Sequence, residues 1–449
     1  MKASGNEQYK HIIKFTFSLM ILFIEVGIYA AAWLLYYNQI LEKPFWRRGN
    51  WLVIALYCCL LLFFMKTYGG FRVGYLKTGN LIYSEMLSVI FVNMISYAQI
   101  SLMDMKLHSP GLIISITAVQ FAVTVVWVIF FQWFYRKIFP PKRMLLVSGK
   151  RPAFHLMEKI HSREDKYYLA GAISISVGID RIMEEAKKYD AVIISDVSSH
   201  ERNLLMKKCF EINKRTYTVP KLSDILLRTS EELDIFDSPL LLSRNDGLKI
   251  EERWFKRFED IVLSLMALII TFPLFIVIGC AIKLTDRGPI FYKQKRLTLN
   301  GKEFEIYKFR TMIQDAEKQG EAVLAAEGDK RILPVGRILR RARLDELPQL
   351  WNILKGDMSM VGPRPERPEL MEEIVKEIPE FTYRLKVKAG LTGYAQIYGK
   401  YNTTAYDKLK LDLFYIRKYS VLLDWKLMLM TPKIMFMKES TEGVHREEK

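Results

Sequence analysis

Cysteine is scarce in this chain: four occur among 449 residues, and none of them forms a C-x-x-C pair or a cluster with histidine. Such patterns are the usual signatures of zinc sites and disulfide frameworks, so the sequence supports neither. The cysteines lie in apolar or mixed helical stretches, which predicts thiols that pack as small apolar side chains.

Two further signatures are missing. No basic tract with interleaved aromatic residues resembles a nucleic-acid-binding module, although the net charge is +17. The first apolar run is too long for a cleavable signal peptide and lacks a small-residue exit. Excess positive charge without a nucleic-acid module suits an anionic membrane face or phosphorylated substrates.

Long apolar runs are abundant in a chain that is 50% hydrophobic. Four of them open the sequence, and three exceed the roughly 18–20 residues that cross a bilayer. We therefore expect four transmembrane helices within residues 1–140. Glu25 interrupts the first run, either as a functional carboxyl or as one that faces the other helices. The runs are Ile12–Tyr37, Trp51–Met65, Leu81–Met103 and Leu112–Tyr135.

The charges between these runs predict their orientation. With the N-terminus inside, the inner segments carry ten basic residues and the outer loops carry four. This bias follows the positive-inside rule, and four crossings return the chain to the cytoplasm. We therefore expect a multi-pass protein whose remaining domains are cytoplasmic.

Residues 141–222 change to an alternation of strands and helices. This pattern predicts a doubly wound, Rossmann-like α/β domain. The turn after its first strand, Ser148–Pro152, has a single glycine instead of G-x-G-x-x-G, which favours a structural or regulatory module over a dinucleotide site. The predicted strands are Arg143–Val147, Tyr168–Ile175, Asp190–Ser195 and Thr216–Val219, and the predicted helices are Ala153–Arg163, Ile179–Tyr189 and Ser199–Lys214.

A polar connector, residues 223–252, leads to a fifth apolar run at Phe258–Leu284 with Pro273 near its middle. Basic residues flank this run on both sides, so a full crossing would place the second basic group outside the cell. A helix that breaks at Pro273 and turns back keeps both flanks inside. We predict a re-entrant hairpin over residues 258–284 and an interfacial amphipathic helix at Val421–Met437.

The stretch 336–367 combines five arginines, besides Arg367 at its end, with the adjacent carboxylates Asp345 and Glu346 and the rigid turn Gly362–Pro365. Arginine matches phosphate oxygens, and a carboxylate can act as a nucleophile or a magnesium ligand. The combination favours the handling of a phosphate ester, and an amphipathic helix with a solvated basic face is the alternative. The arginines are Arg337, Arg340, Arg341, Arg343 and Arg364.

In their order along the chain, Gly288–Phe291, Lys293–Arg296, Tyr307–Met312 and Leu344–Leu350 resemble the bacterial sugar transferase family. Its members are polyprenyl-phosphate glycosyl-1-phosphate transferases, also called monotopic phosphoglycosyl transferases. The resemblance covers roughly Phe255–Lys438, and the upstream segments look like those of large-form members. It implies a mostly α catalytic domain at residues 253–449 that contains the re-entrant helix.

The resemblance implies transfer of a sugar-1-phosphate from a UDP-sugar to undecaprenyl phosphate, with release of UMP. This reaction starts the synthesis of a capsule, exopolysaccharide or O-antigen repeat. Mg²⁺ is the expected cofactor, because it neutralises diphosphate charge and stabilises leaving UMP. The expected location is the cytoplasmic face of the bacterial plasma membrane, and large-form members suggest a homodimer.

Family roles fall on individual residues. Asp345 matches the nucleophile that attacks the β-phosphate and holds the phosphosugar, and it is the expected metal contact; Glu346 assists. Nearby arginines are expected to keep Asp345 ionised. Phosphate binding is expected of Arg310, Arg340, Arg364 and Lys400, the last at a position where arginine is usual.

Two departures from the family pattern concern turns. Phe272 precedes Pro273 where the family usually has Ser-Pro, and Thr271 is expected to satisfy the carbonyls that the proline leaves free. Ala389-Gly390 replaces a usual Pro-Gly, which loosens one turn without removing a functional group.

Three other functions stay open. A non-catalytic membrane scaffold for polysaccharide assembly is opposed by the intact Asp345–Glu346 pair. A multispan transferase without a covalent intermediate needs carboxylates among the spans, which offer few beyond Glu25. A dehydrogenase or epimerase is opposed by the single-glycine turn. The sequence does not specify the sugar or the final polysaccharide.

Overall fold

The structure of the protein, a computed structural model, describes residues 8–149, 154–233, 237, 239–243, 247–313, 329, 331–399 and 403–435. The chain divides into two compact units, Met1–Val219 and Pro220–Lys449. The division lies close to residue 222, where the α/β domain was predicted to end. Among the described residues, five helices are long and apolar enough to cross a bilayer, which identifies a membrane protein of mixed α/β content.

Four of these helices open the first unit, and each covers one of the predicted apolar runs. They are α1 (Lys10–Ala32, continued by a π-helical segment Trp33–Tyr37 and a turn Asn38–Ile40), α2 (Arg47–Tyr68), α3 (Thr78–Met103) and α4 (Gly111–Ile138). Gly69 ends α2 in the left-handed conformation, with φ of 83°, which glycine adopts without strain.

Buried polar side chains join the four helices. Glu25 is fully buried, and its carboxylate accepts a hydrogen bond of 3.0 Å from the Thr124 hydroxyl. Gln120 donates to the Tyr57 hydroxyl at 2.9 Å and accepts from Asn93 at 2.7 Å. Polar groups away from water need such partners. Glu25 therefore faces the other helices, as one of the two readings predicted.

A parallel sheet with strand order β2-β1-β3-β4 follows the helices. Its elements are β1 (Lys142–Ser148), α5 (Phe154–His161), β2 (Tyr167–Ser174), α6 (Ile179–Ala186), β3 (Ala191–Ser195), α7 (Ser199–Glu211) and β4 (Arg215–Thr218). Each agrees with a predicted strand or helix to within a few residues.

Alternate residues of β1 pack on opposite faces of this sheet, because successive side chains of a strand point to opposite sides. Leu145 and Val147 join a core with residues of α6 and α7. Met144 and Leu146 join a second core with Ile160 of α5. Helices therefore cover both faces, as expected of a doubly wound domain.

Gly149, the single glycine of the turn after β1, has a packing role. A Cβ at this position would lie 1.8 Å from the carbonyl oxygen of Asp196, and the Gly149 amide donates to Ser195 at 3.1 Å. Only glycine permits this approach of two backbones, so its presence needs no cofactor to explain it. Lys150, Arg151 and Pro152 of the predicted turn lie outside the described residues.

The second unit combines helices with short strand pairs. Its elements are α8 (Leu222–Arg228), β5 (Glu231–Leu233), β6 (Leu240–Leu242), α9 (Ile250–Asp286), β7 (Phe291–Leu297), β8 (Glu303–Phe309), α10 (Pro334–Arg341), α11 (Gln349–Lys355), β9 (Ser359–Val361), α12 (Pro368–Glu377), β10 (Gly390–Thr392), α13 (Tyr394–Tyr398), α14 (Ala405–Arg417) and α15 (Val421–Met435). The pairs β5–β6 and β7–β8 are antiparallel, and β9–β10 is parallel.

Helix α9 continues through Pro273 over its 37 residues, so the predicted break of the helix at this proline is not seen. The Thr271 hydroxyl donates to the carbonyl of Ala267 at 2.6 Å, rather than to Ile269, whose carbonyl loses its helical donor at Pro273. The expected role of Thr271 is therefore not seen. Ile270 and Phe272 beside the proline are 73% and 62% exposed. The re-entrant path of this helix in a membrane stays a prediction.

Helix α15 corrects the predicted distribution of its side chains. Asp424 and Lys433, two of the polar residues that interrupt the apolar ones in this predicted amphipathic helix, are 1% and 5% exposed, whereas Leu422 is 82% exposed. Asp424 is buried because Lys256 of α9 donates to its carboxylate at 2.5 Å. The outward face of α15 is thus more apolar than the alternation of residue types indicated.

Candidate active site

Asp345 and Glu346 lie together in a 3-10 turn, Leu344–Glu346, directly after α10. Ala342 and Arg343 lie between the helix and this turn, and Arg343 has a φ of 56°, in the left-handed region that reverses the chain direction. Asp345 and Glu346 are 9% and 8% exposed. The sequence placed this pair on an amphipathic helix or in a site, and the structure buries both carboxyl groups.

Two cations hold the Glu346 carboxylate. Oε1 accepts from Nζ of Lys308 at 3.0 Å and from Nη2 of Arg364 at 2.9 Å. Burial alone would favour the neutral acid. Lys308, Arg364 and Arg343 nevertheless hold the pKa of Glu346 well below its usual range. Glu346 is therefore a fixed negative charge.

Asp345 differs from Glu346 in its hydrogen bonds and in the direction of its pKa shift. Its Oδ1 is buried and has no hydrogen-bond partner among the described residues. Burial raises the pKa of the Asp345 carboxyl, and the charge of Glu346 raises it further. Lys308, Arg340 and Arg343 lower this pKa without offsetting the increase. The arginines thus act in the expected direction, because they lower this pKa, but burial outweighs them. The ionised state of Asp345 stays a prediction.

Close backbone contacts among three glycines hold the turn that carries Arg364. A Cβ on Gly390 would lie 2.0 Å from the backbone nitrogen of Gly362, and one on Gly393 would lie 2.1 Å from the Gly362 oxygen. The Gly362 amide donates to Thr392 at 2.8 Å. Glycine is required wherever two backbones approach so closely. The turn that carries Arg364 is thus held directly against β10.

Arg384, which the sequence analysis did not identify, contacts the backbone of the same turn. It is 3% exposed and donates to the backbone carbonyl of Arg364 at 3.0 Å. It also pairs with Glu366 at 3.1 Å and with Asp412 at 2.9 Å. The guanidinium therefore fixes the backbone of Arg364, whose own side chain is 44% exposed.

The other predicted phosphate-binding residues differ in their surroundings. Arg340 donates from Nε to the Thr311 hydroxyl at 2.8 Å and lies close enough to lower the pKa of Asp345. Arg310 is 5% exposed and is held by the Asp286 carboxylate and the Pro289 carbonyl. Its phosphate-binding role stays a prediction. Lys400 lies outside the described residues.

Lys308 is a site residue that the sequence analysis did not single out. In β8 it follows the buried Phe304 and Ile306 at alternate positions, and such positions share one face of a strand. A lysine on the inward face of a strand needs an anionic partner. The position of Lys308 in the alternation of β8 could therefore have indicated a site residue. Its partner Glu346 is 38 residues away, which no local pattern predicts.

The site offers limited ligands for a metal ion. Within the described part of the chain, no group of three or more His, Cys, Asp or Glu side chains is placed to hold one. Mg²⁺ is usually bound by one or two carboxylates together with substrate phosphates and water. Oδ1 of Asp345, which has no hydrogen-bond partner in the described part of the chain, fits that mode of binding. A magnesium ion that arrives with a diphosphate is therefore compatible with these residues.

Comparison with known proteins identifies the family of this chain. A family model described as "Bacterial sugar transferase" matches residues 251–438. A UDP-glucose:undecaprenyl-phosphate glucose-1-phosphate transferase of Klebsiella pneumoniae is 32% identical over 329 residues, 66% of this chain and 69% of that protein. The chain belongs to the bacterial sugar transferase family. The resemblance seen in the ordered motifs is thereby confirmed.

Other members of the family match shorter segments. A UDP-N-acetylgalactosamine-undecaprenyl-phosphate N-acetylgalactosaminephosphotransferase of Aeromonas hydrophila is 33% identical over 253 residues, 53% of this chain and 57% of that protein. A putative undecaprenyl-phosphate N-acetylgalactosaminyl 1-phosphate transferase of Bacillus subtilis is 51% identical over 130 residues, 29% of this chain and 72% of that protein. The chain thus spans a little over half of the Aeromonas relative, and these members differ in the sugar they are named for.

Proposed function

We propose that this protein transfers a sugar-1-phosphate from a UDP-sugar to undecaprenyl phosphate and releases UMP. The observation that carries the proposal is the contrast within the carboxylate pair. Glu346 is fixed by Lys308 and Arg364, whereas Asp345 keeps a buried oxygen without a hydrogen-bond partner in the described structure. A carboxylate with an unengaged oxygen beside fixed cations is suited to attack on a phosphorus atom.

In the first half-reaction, an oxygen of the Asp345 carboxylate attacks the β-phosphorus of the UDP-sugar. The bond between this phosphorus and the bridging oxygen breaks, and UMP leaves with the electron pair. The sugar phosphate is then held as an acyl phosphate on Asp345. The exposed guanidinium of Arg364 and the nearby Arg340 supply positive charge for the phosphate oxygens.

In the second half-reaction, a phosphate oxygen of undecaprenyl phosphate attacks the same phosphorus. The bond to Asp345 breaks, the carboxylate is regenerated, and the product is the undecaprenyl diphosphate sugar. In the first half-reaction, a magnesium ion held by Asp345 and the diphosphate would neutralise charge on the leaving UMP. Because UMP departs before the lipid reacts, the two substrates use one site in turn, which gives ping-pong kinetics.

The exposed apolar surface of α9 supports a site close to the membrane. Ile269, Ile270 and Phe272 are 67%, 73% and 62% exposed, and the first residues of α9 are tied to the catalytic region through Arg257, which donates to Ile353 at 2.7 Å. Basic flanks on both sides of the helix favour a re-entrant insertion that returns to the cytoplasmic face. A lipid phosphate and a water-soluble UDP-sugar both reach a site at that interface.

Capture of the covalent intermediate tests this function. Purified protein in nanodiscs, given Mg²⁺ and a panel of UDP-sugars without lipid acceptor, should gain the mass of one sugar phosphate and release UMP. Adding undecaprenyl phosphate should remove the added mass. Asp345→Asn should show neither event. Initial-rate lines that intersect, as a ternary complex requires, would contradict the mechanism, and an absence of UMP with every sugar would favour a scaffold.

A further inference from the structure

A cavity of about 600 Å³ lies within the first unit, between the ends of the membrane helices and the α/β sheet. It is built entirely from residues before Val219, so it shares no residue with the site around Asp345. Its lining is mainly basic and aromatic. The residues that the argument uses are Lys10, Arg136, Lys137, Lys142, Lys166 and Arg215.

The cavity is at the amino edge of the sheet. Lys142, Tyr167 and Arg215 are the first residues of β1, β2 and β4, and Asp190 directly precedes β3; all four residues line it. Doubly wound domains usually bind ligands at the opposite, carboxyl edge, where Gly149 lies. The position therefore indicates a site of a different kind, created by the junction of this sheet with the helix ends.

Positive charge predominates in the lining, which has six basic and two acidic side chains. Asp165 offsets part of this charge, because it interacts electrostatically with Arg136 and Lys166 of the lining. Asp165 accepts from Nε of Arg163 at 2.9 Å, and Asp190 accepts from the backbone nitrogen of Arg143 at 2.9 Å. The cavity therefore keeps a net excess of positive charge, which favours an anionic occupant.

Aromatic rings hold several lysines together at this place. Nζ of Lys14 and Nζ of Lys166 lie 4.0 and 4.1 Å from the centre of the same ring, that of Tyr75. Nζ of Lys10 lies 5.9 Å from the Tyr135 ring, which also lines the cavity. Ring faces attract ammonium groups but do not neutralise them. Grouped like charges are unfavourable unless an anion joins them.

Lys166 is half-buried, and its burial disfavours the charged ammonium form. Burial accordingly lowers the pKa of Lys166, and the positive charge of Arg163 lowers it further. The Arg163 guanidinium is itself fixed, because Nη1 donates to the carbonyl of Tyr75 at 2.5 Å. A bound anion would reverse this penalty by stabilising the ammonium form.

We propose that this cavity binds a phosphate-bearing anion, either the headgroup of an acidic phospholipid or a soluble phosphate compound. Lysine and arginine side chains from the helix ends and from the strand starts surround one volume, and both groups of residues are needed to form it. Basic pockets beside membrane helices are suited to anionic headgroups. An occupant would link the helices to the sheet. The site does not depend on the proposed transferase reaction.

The test compares two double variants of the full-length protein in nanodiscs. Lys142→Gln/Arg215→Gln removes two cations from the cavity but none from the membrane helices. Lys187→Gln/Lys207→Gln removes two exposed lysines of the same domain outside the cavity, so the net charge of the two proteins is equal. Native mass spectrometry counts phosphatidylglycerol retained from discs of equal parts phosphatidylcholine and phosphatidylglycerol, and thermal unfolding is followed with and without inorganic phosphate in pure phosphatidylcholine discs.

Wild type and the Lys187/Lys207 variant should retain phosphatidylglycerol equally, and the cavity variant should bind it about tenfold more weakly. If inorganic phosphate stabilises wild type and the Lys187/Lys207 variant but not the cavity variant, the occupant is a soluble phosphate compound. That result would also support the site. If neither ligand distinguishes the two variants, the proposal is overturned. Arg215→Gln, a single change of an exposed side chain, decides the question in the same way if the double variant does not fold.

Discussion

Asp260 of α9 accepts two hydrogen bonds at one oxygen, Oδ1, from the Ser359 hydroxyl at 2.9 Å and from the backbone nitrogen of Met360 at 2.8 Å. The carboxylate thereby ties the apolar helix to β9, the strand that leads directly into the turn carrying Arg364. Asp260 is 2% exposed. A buried contact thus connects the helix expected to enter the membrane with the residues expected to bind phosphate.

Asp260→Ala should weaken both stability and turnover. The Met360 amide and the Ser359 hydroxyl would lose their acceptor inside the protein, which costs about 1–3 kcal/mol for each buried group left unsatisfied. The turn that holds Arg364 would be less well fixed, so UMP release should also slow. Glu251→Ala, an exposed carboxylate at the start of the same helix, is the control. Thermal unfolding and UMP assays that show equal effects for the two variants would disprove the role of Asp260.

Lys308→Met should reduce kcat/KM on the order of 100-fold, because the fixed charges around the reacting phosphate would be rearranged. Glu346 would keep its contact with Arg364, and its negative charge would be less well compensated. Lys295→Met on the neighbouring strand β7 is the matched control, since Lys295 is 71% exposed and pairs with Glu303. A rate for Lys308→Met close to that of Lys295→Met would show that Lys308 does not serve the site.

Asp345→Asn should separate activity from stability. It should abolish UMP release and covalent capture, a loss of about 10⁴-fold or more, because the nucleophilic oxygen is gone. It should not lower the melting temperature, because burial raises the pKa of Asp345 and the neutral amide avoids a poorly stabilised charge. Circular dichroism melting beside the UMP assay measures both quantities. A lowered melting temperature would mean that the carboxylate stabilises the fold.

The pH dependence of the reaction should follow the ionisation of Asp345. The carboxylate form attacks, so activity is lost as the pH falls through the folded-state pKa, which burial raises above the ordinary aspartate value. Arg340 lowers this pKa, so Arg340→Gln should move the acid limb of kcat/KM to higher pH. Arg337→Gln, an exposed arginine of the same helix, should leave the limb in place. An acid limb that does not move in Arg340→Gln would exclude this coupling.

Gly390→Ala should destabilise the second unit by about 3 kcal/mol, because its Cβ would lie 2.0 Å from the Gly362 nitrogen and neither backbone can move freely. Gly79→Ala in α3 meets nothing within 4 Å and should be neutral or stabilise the helix by up to about 1 kcal/mol. Chemical denaturation of the two variants gives the comparison. Equal stability of the two variants would show that the close backbone contact between Gly362 and Gly390 is not required.

The sequence by itself determined the elements that depend on neighbours in the chain. Apolar runs of spanning length predicted α1 to α4, and the alternation after residue 140 predicted a parallel sheet, because burial imposes a period on the residues of each helix or strand. The order of short motifs also indicated the family, and with it the Asp345–Glu346 pair. These features can be read within windows of a few dozen residues.

Tertiary structure decided what depends on residues far apart. Only the fold brings Lys308 and Arg364 to Glu346 while Oδ1 of Asp345 has no hydrogen-bond partner among the described residues. Burial, together with the charge of Glu346, sets the direction of the Asp345 pKa shift, which the nearby arginines alone would reverse. The same holds for Asp424 of α15, whose charge is buried because Lys256 lies 168 residues away in sequence and 2.5 Å away in space. Desolvation and pairing are properties of three-dimensional surroundings, so no local pattern encodes them.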